Sequence, residues 1–161
     1  MFADETELID RIAVALIRRR ERIGTAESCT GGLIAAACTH LAGSSAWFER
    51  GVVSYSNEAK AELLGVPPGV IAQHGAVSAE AAEHMARGLL AHAPIDWALS
   101  VTGIAGPGGG SEAKPVGTVW FAWCVGGEIH SEMQHFAGDR AAVRTATLRY
   151  ALKRLLSLLP A

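Results

Sequence analysis

Residues 96–103, DWALSVTG, form a nearly uninterrupted apolar run of strand length, with Pro94 just upstream and the glycine-rich stretch GIAGPGGGSEAKP downstream. A strand without polar alternation has no face to give to water, so it belongs in the middle of a sheet covered on both sides. The neighbouring segments supply the covers. Leu8, Ile9, Ile12, Ala13, Leu16 and Ile17 recur at helical spacing and predict a helix over about 5–20. Arg18, Arg19 and Arg20 stand at its C-terminal end, where the macrodipole favours cations. Ser78 is placed to cap a helix over AEAAEHMARGLLAH that Pro94 closes. Asp139 is placed to cap a long helix with apolar residues at 143, 148, 151, 155 and 158.

Other segments read as strands: a short one at 23–27, the β-branched GVVSYS at 51–56, and a hairpin of VGTVWFAWCV and EIHSEMQHF turning about Gly126-Gly127. The small-residue run GGLIAAACTHLAG reads as a buried helix ending at Gly43. NEAKAELLG reads as a helix with Asn57 as its cap and Gly65 as its stop, followed by a turn through Val66-Pro67-Pro68-Gly69. The expected fold is α/β, a single three-layer domain over residues 1–161 with a mixed sheet and helices on both faces.

At 161 residues and a formal charge of -2, the chain has room for one core and carries no electrostatic footprint for nucleic acid or an anionic membrane. No apolar run reaches the roughly 18 residues that span a bilayer, and the acidic MFADETELID lacks the plan of a signal peptide. Cys29, Cys38 and Cys124 are odd in number and widely spaced, which argues against a disulfide framework and for a reducing, cytoplasmic setting. The partner expected is a small molecule. Trp47, Phe48 and the apolar last helix are equally suited to a core and to an interface in a homo-oligomer.

TAESCTGG, residues 25–32, places a serine between a strand and a Gly-Gly helix start. Ser28 is either an ordinary N-cap or a nucleophile, with the amides of Thr30, Gly31 and Gly32 available to an oxyanion or a phosphate. The stretch is not the G-x-S-x-G elbow of α/β hydrolases. A nucleophilic serine needs a base, and the six histidines are scattered without a motif. In SYSNEAK, Tyr55 ends a strand and Lys60 lies one turn into the next helix, so both can reach a cleft at the strand ends. Lys60 is otherwise an ordinary surface lysine. As a base it would have to lose its proton near neutral pH, about 3 pH units below its reference value, through burial or neighbouring cations.

The run from Thr102 and Gly103 through Ala105 and Gly106 to Gly110 is neither a Walker A loop nor a dinucleotide fingerprint, because Lys114-Pro115-Val116 leads into a strand. It is either a plain turn or a place where a ligand approaches the backbone, with Lys114 adding a positive charge. Arg140 beside the Asp139 cap can meet an anion or point into water. No C-x2-C or H-E-x-x-H pattern occurs, and His130 and His135 on a strand would face opposite ways, so no metal is expected. Cys29 is a rival nucleophile unless it is packed.

Taken together, AESCTGG, AGSSAWFERGVVSYSNEAK, AQHGAVS, SVTGIAGPGGGSEAKPVGTVWFA and FAGDR resemble the C-terminal domain of the CinA family over nearly the whole chain. The resemblance implies hydrolysis of the carboxamide of nicotinamide mononucleotide to nicotinic acid mononucleotide and ammonia, a chemistry that needs no redox or metal cofactor. Under that reading Ser28 and Lys60 form a dyad, and Tyr55 and Thr102 orient the reacting groups. Thr30, Gly31, Gly32, Gly103, Ala105, Gly106, Lys114 and Arg140 bind the substrate. A noncatalytic nucleotide-binding module is the alternative, because a glycine loop can bind without catalysing.

Overall fold

In the computed structural model, which describes residues 1–161, the apolar run is β3 (Trp97–Gly103), the middle strand of five. Across the sheet the order is β2 (Phe48–Val53), β1 (Ile23–Glu27), β3, β4 (Thr118–Val125) and β5 (Glu128–His135). β1 pairs in parallel with both β2 and β3, while β4 and β5 extend the sheet antiparallel. The fold is therefore α/β with a mixed sheet, and every residue of β1 is buried.

The two faces of the sheet differ in bulk. Leu99, Val101, Phe121 and Trp123 point to one side and share a core with α1 (Thr6–Arg19), α2 (Leu33–Cys38) and α6 (Arg140–Leu158). Ala26, Ala98, Ala122 and Cys124 point to the other, where Leu64 of α3 (Asn57–Leu64), Ile71 of α4 (Pro68–His74) and Met85 and Leu89 of α5 (Ala79–His92) cover them. Small strand residues let α5 lie close, so that Ser100 Oγ donates to the backbone carbonyl of Ala82 at 2.6 Å. Trp47 is buried in the larger core with Val143, Leu148, Ala151, Leu152 and Leu155 of α6, and Phe48 packs against it while partly exposed.

The chain passes from β1 to β2 over the first face through α2, and from β2 to β3 over the second face through α3, α4 and α5. The two crossovers leave the carboxyl ends of neighbouring strands in opposite directions, which opens a crevice between β1 and β2 at that edge.

Several element boundaries differ from the expectation. α2 stops at Cys38 rather than Gly43, where Thr39 leaves the helical conformation at φ −94° and ψ 4°; Gly43, at φ +87°, instead begins a short 3-10 turn over Ser44–Ala46. β2 lies over 48–53 rather than 51–56, since its register with β1 runs from Phe48 opposite Ile23 to Val53 opposite Glu27. Ser56, not Asn57, caps α3 and accepts from the Ala59 amide at 3.0 Å. The expected turn at 66–69 is cut short by α4, which Pro68 begins at a position where its missing N–H costs nothing.

Gly88 sets how closely α5 approaches α3, and hence where Lys60 is carried. A Cβ on Gly88 would fall 1.8 Å from the Leu64 carbonyl oxygen. An unhindered Gly→Ala change in a helix gains roughly 1 kcal/mol. Gly88→Ala is instead expected to lose about 1–3 kcal/mol through overpacking. Guanidinium unfolding of the two proteins checks it, and a more stable variant would show that the helices can part freely.

Candidate active site

Two backbone bonds beyond the strand ends hold the crevice in register. The Ser28 amide donates to the Val101 carbonyl at 3.1 Å, and the Ser54 amide donates to the Glu27 carbonyl at 2.9 Å. Lys60 reaches into this frame from α3 and is 1% exposed. Its Nζ lies 3.0 Å from Ser28 Oγ, 3.0 Å from the Ser54 carbonyl oxygen and 3.1 Å from that of Tyr55.

The two carbonyls can only accept, so two N–H donors of Nζ go to them, and the third position faces Ser28 Oγ, which accepts from an ammonium and can donate to the lone pair of a neutral amine. Lys60 makes no salt bridge. Burial holds its pKa below the ordinary lysine value, since no carboxylate compensates the charged form. Ser28 is itself 8% exposed, so the pair sits under the surface at the mouth of the crevice.

The turn that carries Ser28 is braced from two sides. Glu27, 1% exposed, accepts from Thr30 Oγ1 at 2.6 Å and from the amides of Ile34 and Ala35, each at 2.9 Å, so it caps α2 from the residue beside the serine. From α6, Arg144 donates through Nε to the Cys29 carbonyl at 3.2 Å and through Nη2 to the Thr30 carbonyl at 3.0 Å. Gly31 and Gly32 take φ of +59° and +100°, which a side chain would resist. The Gly31 amide is committed to the Ser28 carbonyl at 3.0 Å, and the Thr30 hydroxyl to Glu27. The amides of Cys29, Thr30 and Gly32 donate to no protein group.

The remaining sequence candidates divide. Tyr55 meets Lys60 through its carbonyl, while its side chain is 60% exposed and its hydroxyl accepts from Arg140 Nη2 at 3.2 Å. Arg140 also donates to the Gly106 carbonyl at 2.9 Å, joining α6 to the glycine loop. With Ala105, Pro107, Val116 and Arg144 it lines a cleft of about 500 Å³. Thr102 is buried and donates its hydroxyl to the Ala76 carbonyl at 2.8 Å; no hydrogen bond joins it to Ser28 or Lys60. Lys114 donates to the His74 carbonyl at 2.8 Å and so ties the loop to the end of α4. Gly103 ends β3 against β4, where a Cβ would meet the side chain of Val119 at 2.7 Å. No group of three or more His, Cys, Asp or Glu side chains is arranged to hold a metal ion.

Glu27, Ser54 and Arg144 were not among the expected site residues. Glu27 stands five residues ahead of the Gly32 cap position and caps α2 across the intervening turn, a spacing that residue type does not reveal. Ser54 and Arg144 act through main-chain groups, which residue type does not reveal.

Comparison with known proteins places this geometry in context. The model of the CinA C-terminal domain matches residues 5–159. The nicotinamide-nucleotide amidohydrolase PncC of Escherichia coli K12 is 53% identical over 150 residues, covering 92% of this chain and 91% of that one. The protein of the same name from Pseudomonas putida is 52% identical and covers 95% and 96%. Among solved structures, the competence damage-inducible protein A of Klebsiella pneumoniae superposes with a TM-score of 0.92 at 45% identity, covering 95% of each chain. The competence/damage inducible protein of Agrobacterium tumefaciens gives 0.93 at 45%, covering 97% of this chain and 96% of that one.

Beside Ser28, Cys29 is 6% exposed, and burial pushes its thiol up to about 11. Little thiolate therefore exists near neutral pH, which argues against Cys29 as the nucleophile of this turn. All three cysteines are free and buried. Native protein at mildly alkaline pH is expected to react with Ellman's reagent only slowly, and denatured protein to titrate three thiols at once. A single fast native thiol that maps to Cys29 would reopen the choice of nucleophile.

Proposed function

Because the chain belongs to the CinA C-terminal domain family, we propose that it is an amidohydrolase that converts nicotinamide mononucleotide to nicotinic acid mononucleotide and ammonia. Ser28 is the nucleophile and Lys60 the base. Relatives bearing the name nicotinamide-nucleotide amidohydrolase support the substrate, since each match spans more than nine-tenths of both chains. The mechanism rests on one observation above others, the 3.0 Å contact between Ser28 Oγ and a buried lysine without a carboxylate partner.

Neutral Lys60 takes the Ser28 proton as Oγ bonds to the carboxamide carbon, and the carbonyl electrons move onto oxygen. Backbone amides of the 29–32 turn receive that oxyanion. As the carbonyl re-forms, the C–N bond breaks, and the lysine proton goes to the departing nitrogen to give ammonia and a Ser28 ester. A water then adds to the ester with Lys60 as base. Collapse returns the proton to Ser28 Oγ and releases the carboxylate product. The nucleotide phosphate is assigned to the cleft beside Arg140, whose guanidinium retains donors beyond those bound to Gly106 and Tyr55. With three free thiols, the proposed setting is a reducing cytoplasm.

Ammonia release from nicotinamide mononucleotide by the purified protein tests the reading. Tight binding without turnover would favour a noncatalytic binding module. Ser28→Ala and Lys60→Arg are each expected to fold and to lose at least about a thousandfold in kcat. Arginine keeps the charge but cannot surrender its proton, so an active Lys60→Arg protein would remove Lys60 from proton transfer. Because the lysine pKa is lowered, the neutral base is populated above that lowered value; kcat/KM should fall as the pH drops through it, on an acid limb below the ordinary lysine range of about 10.4. Turnover should also survive exhaustive EDTA treatment, since protein groups supply both the base and the oxyanion donors. Loss on chelation with recovery on adding a divalent ion would sink that part of the mechanism.

A further inference from the structure

The structure assigns Arg144 a role in this reaction: it is a positioning residue that fixes the turn carrying Ser28 and the unpaired amides of Cys29 and Gly32, acting through the backbone without touching substrate. The inference rests on the deamidase reading above.

A trans peptide unit is planar, with its carbonyl and the following N–H pointing opposite ways. Arg144 draws two successive carbonyls, Cys29 and Thr30, toward α6. The N–H groups of Thr30 and Gly31 are thereby turned away from α6. That of Gly31 closes the turn onto the Ser28 carbonyl at 3.0 Å, while that of Thr30 meets no protein acceptor. Thr30 is fully buried, and Glu27 holds its hydroxyl at 2.6 Å, so the residue is anchored at the carbonyl before it, at its own carbonyl and at its side chain. A turn pinned at these three points holds Ser28, and the unpaired amides of Cys29 and Gly32 around it, in one geometry before charge arrives in the transition state.

Arg144 makes no salt bridge, so its donors are free to serve the two carbonyls. The planar fork suits two neighbouring carbonyls as a lysine ammonium cannot. The competing role is direct contact with the nucleotide phosphate, because Arg144 lines the cleft that holds Arg140.

Steady-state kinetics of Arg144→Gln on nicotinamide mononucleotide and on the phosphate-free nicotinamide riboside separate the two roles. Positioning predicts a fall of about ten- to a hundredfold in kcat for the nucleotide with KM little changed, and an equal fall in kcat/KM for the riboside. A phosphate contact predicts a raised KM for the nucleotide and an unaffected riboside, which would overturn the inference, as would unaltered kinetics on both. The rate at which a fluorophosphonate labels Ser28, followed by intact mass, supplies a readout that does not depend on the natural substrate. It should fall by a similar factor in the variant, and an undiminished rate would also overturn the assignment. Wild-type protein that releases no ammonia would defeat the deamidase reading alone, and the labelling rates would still decide the role of Arg144. Wild-type protein that is not labelled at Ser28 would defeat both. If Arg144→Gln does not fold, Arg144→Lys carries the test: it keeps the charge, reaches one carbonyl at a time, and should show an intermediate loss in kcat and in labelling, whereas full activity would overturn the need for the fork.

Discussion

The parallel pairing of β1 with strands on both sides is the constraint on which the rest of this molecule depends. Parallel neighbours bring their carboxyl ends to the same edge of the sheet, and successive crossovers to opposite faces prevent the connecting chain from covering that edge. Ser28 and Ser54 emerge side by side there because each continues the ladder by one more backbone bond past its strand. An antiparallel β2 would have sent its following segment to the far end of the sheet, and Lys60 with it. The small residues on the α5 face contribute to the same end: they seat α5 closely, and α5 seats α3.

Within that frame, the chain tolerates a buried amine that would be expensive as a cation. Two main-chain carbonyls and a hydroxyl satisfy it in its neutral form, so the cost falls on the protonated state, and below the ordinary lysine value folding bears the cost of releasing that proton. Linkage gives the sign. With the folded pKa lowered, the unfolded chain binds this proton over a pH range in which the folded protein has released it; the contribution of Lys60 to stability therefore improves as pH rises from the lowered value toward the ordinary lysine value.

The parts of this arrangement that could be read from residue type are those written in local patterns. An unbroken apolar run identified the central strand, Ser78 and Asp139 marked helix starts, and the glycines after Ser28 marked the turn into α2. The distance between Ser28 and Lys60 was not legible, because it follows from a strand register and from helix packing across 32 positions of sequence. Tyr55 and Lys114 were assigned through their side-chain chemistry, yet Tyr55 meets Lys60 through its carbonyl and Lys114 spends its charge on a carbonyl of α4. Glu27 and Arg144 went unnoticed for the same reason, since their partners are largely peptide groups. α4 was hidden by two prolines that read as a turn, although proline is well suited to the first position of a helix.

The arginine bridge from α6 has a consequence for the order in which the molecule comes into being. It spans 115 residues of sequence, from the turn after the first strand to a helix beyond the last one. A nascent chain emerging from the ribosome exposes its serine early and its lysine soon afterwards, and the parallel strands can pair before α6 has been synthesised. Until α6 docks, the larger core lacks its longest cover and the serine turn has no brace on that side. The unfinished protein therefore holds its reactive groups without their geometry, and competence arrives with the closing of the core.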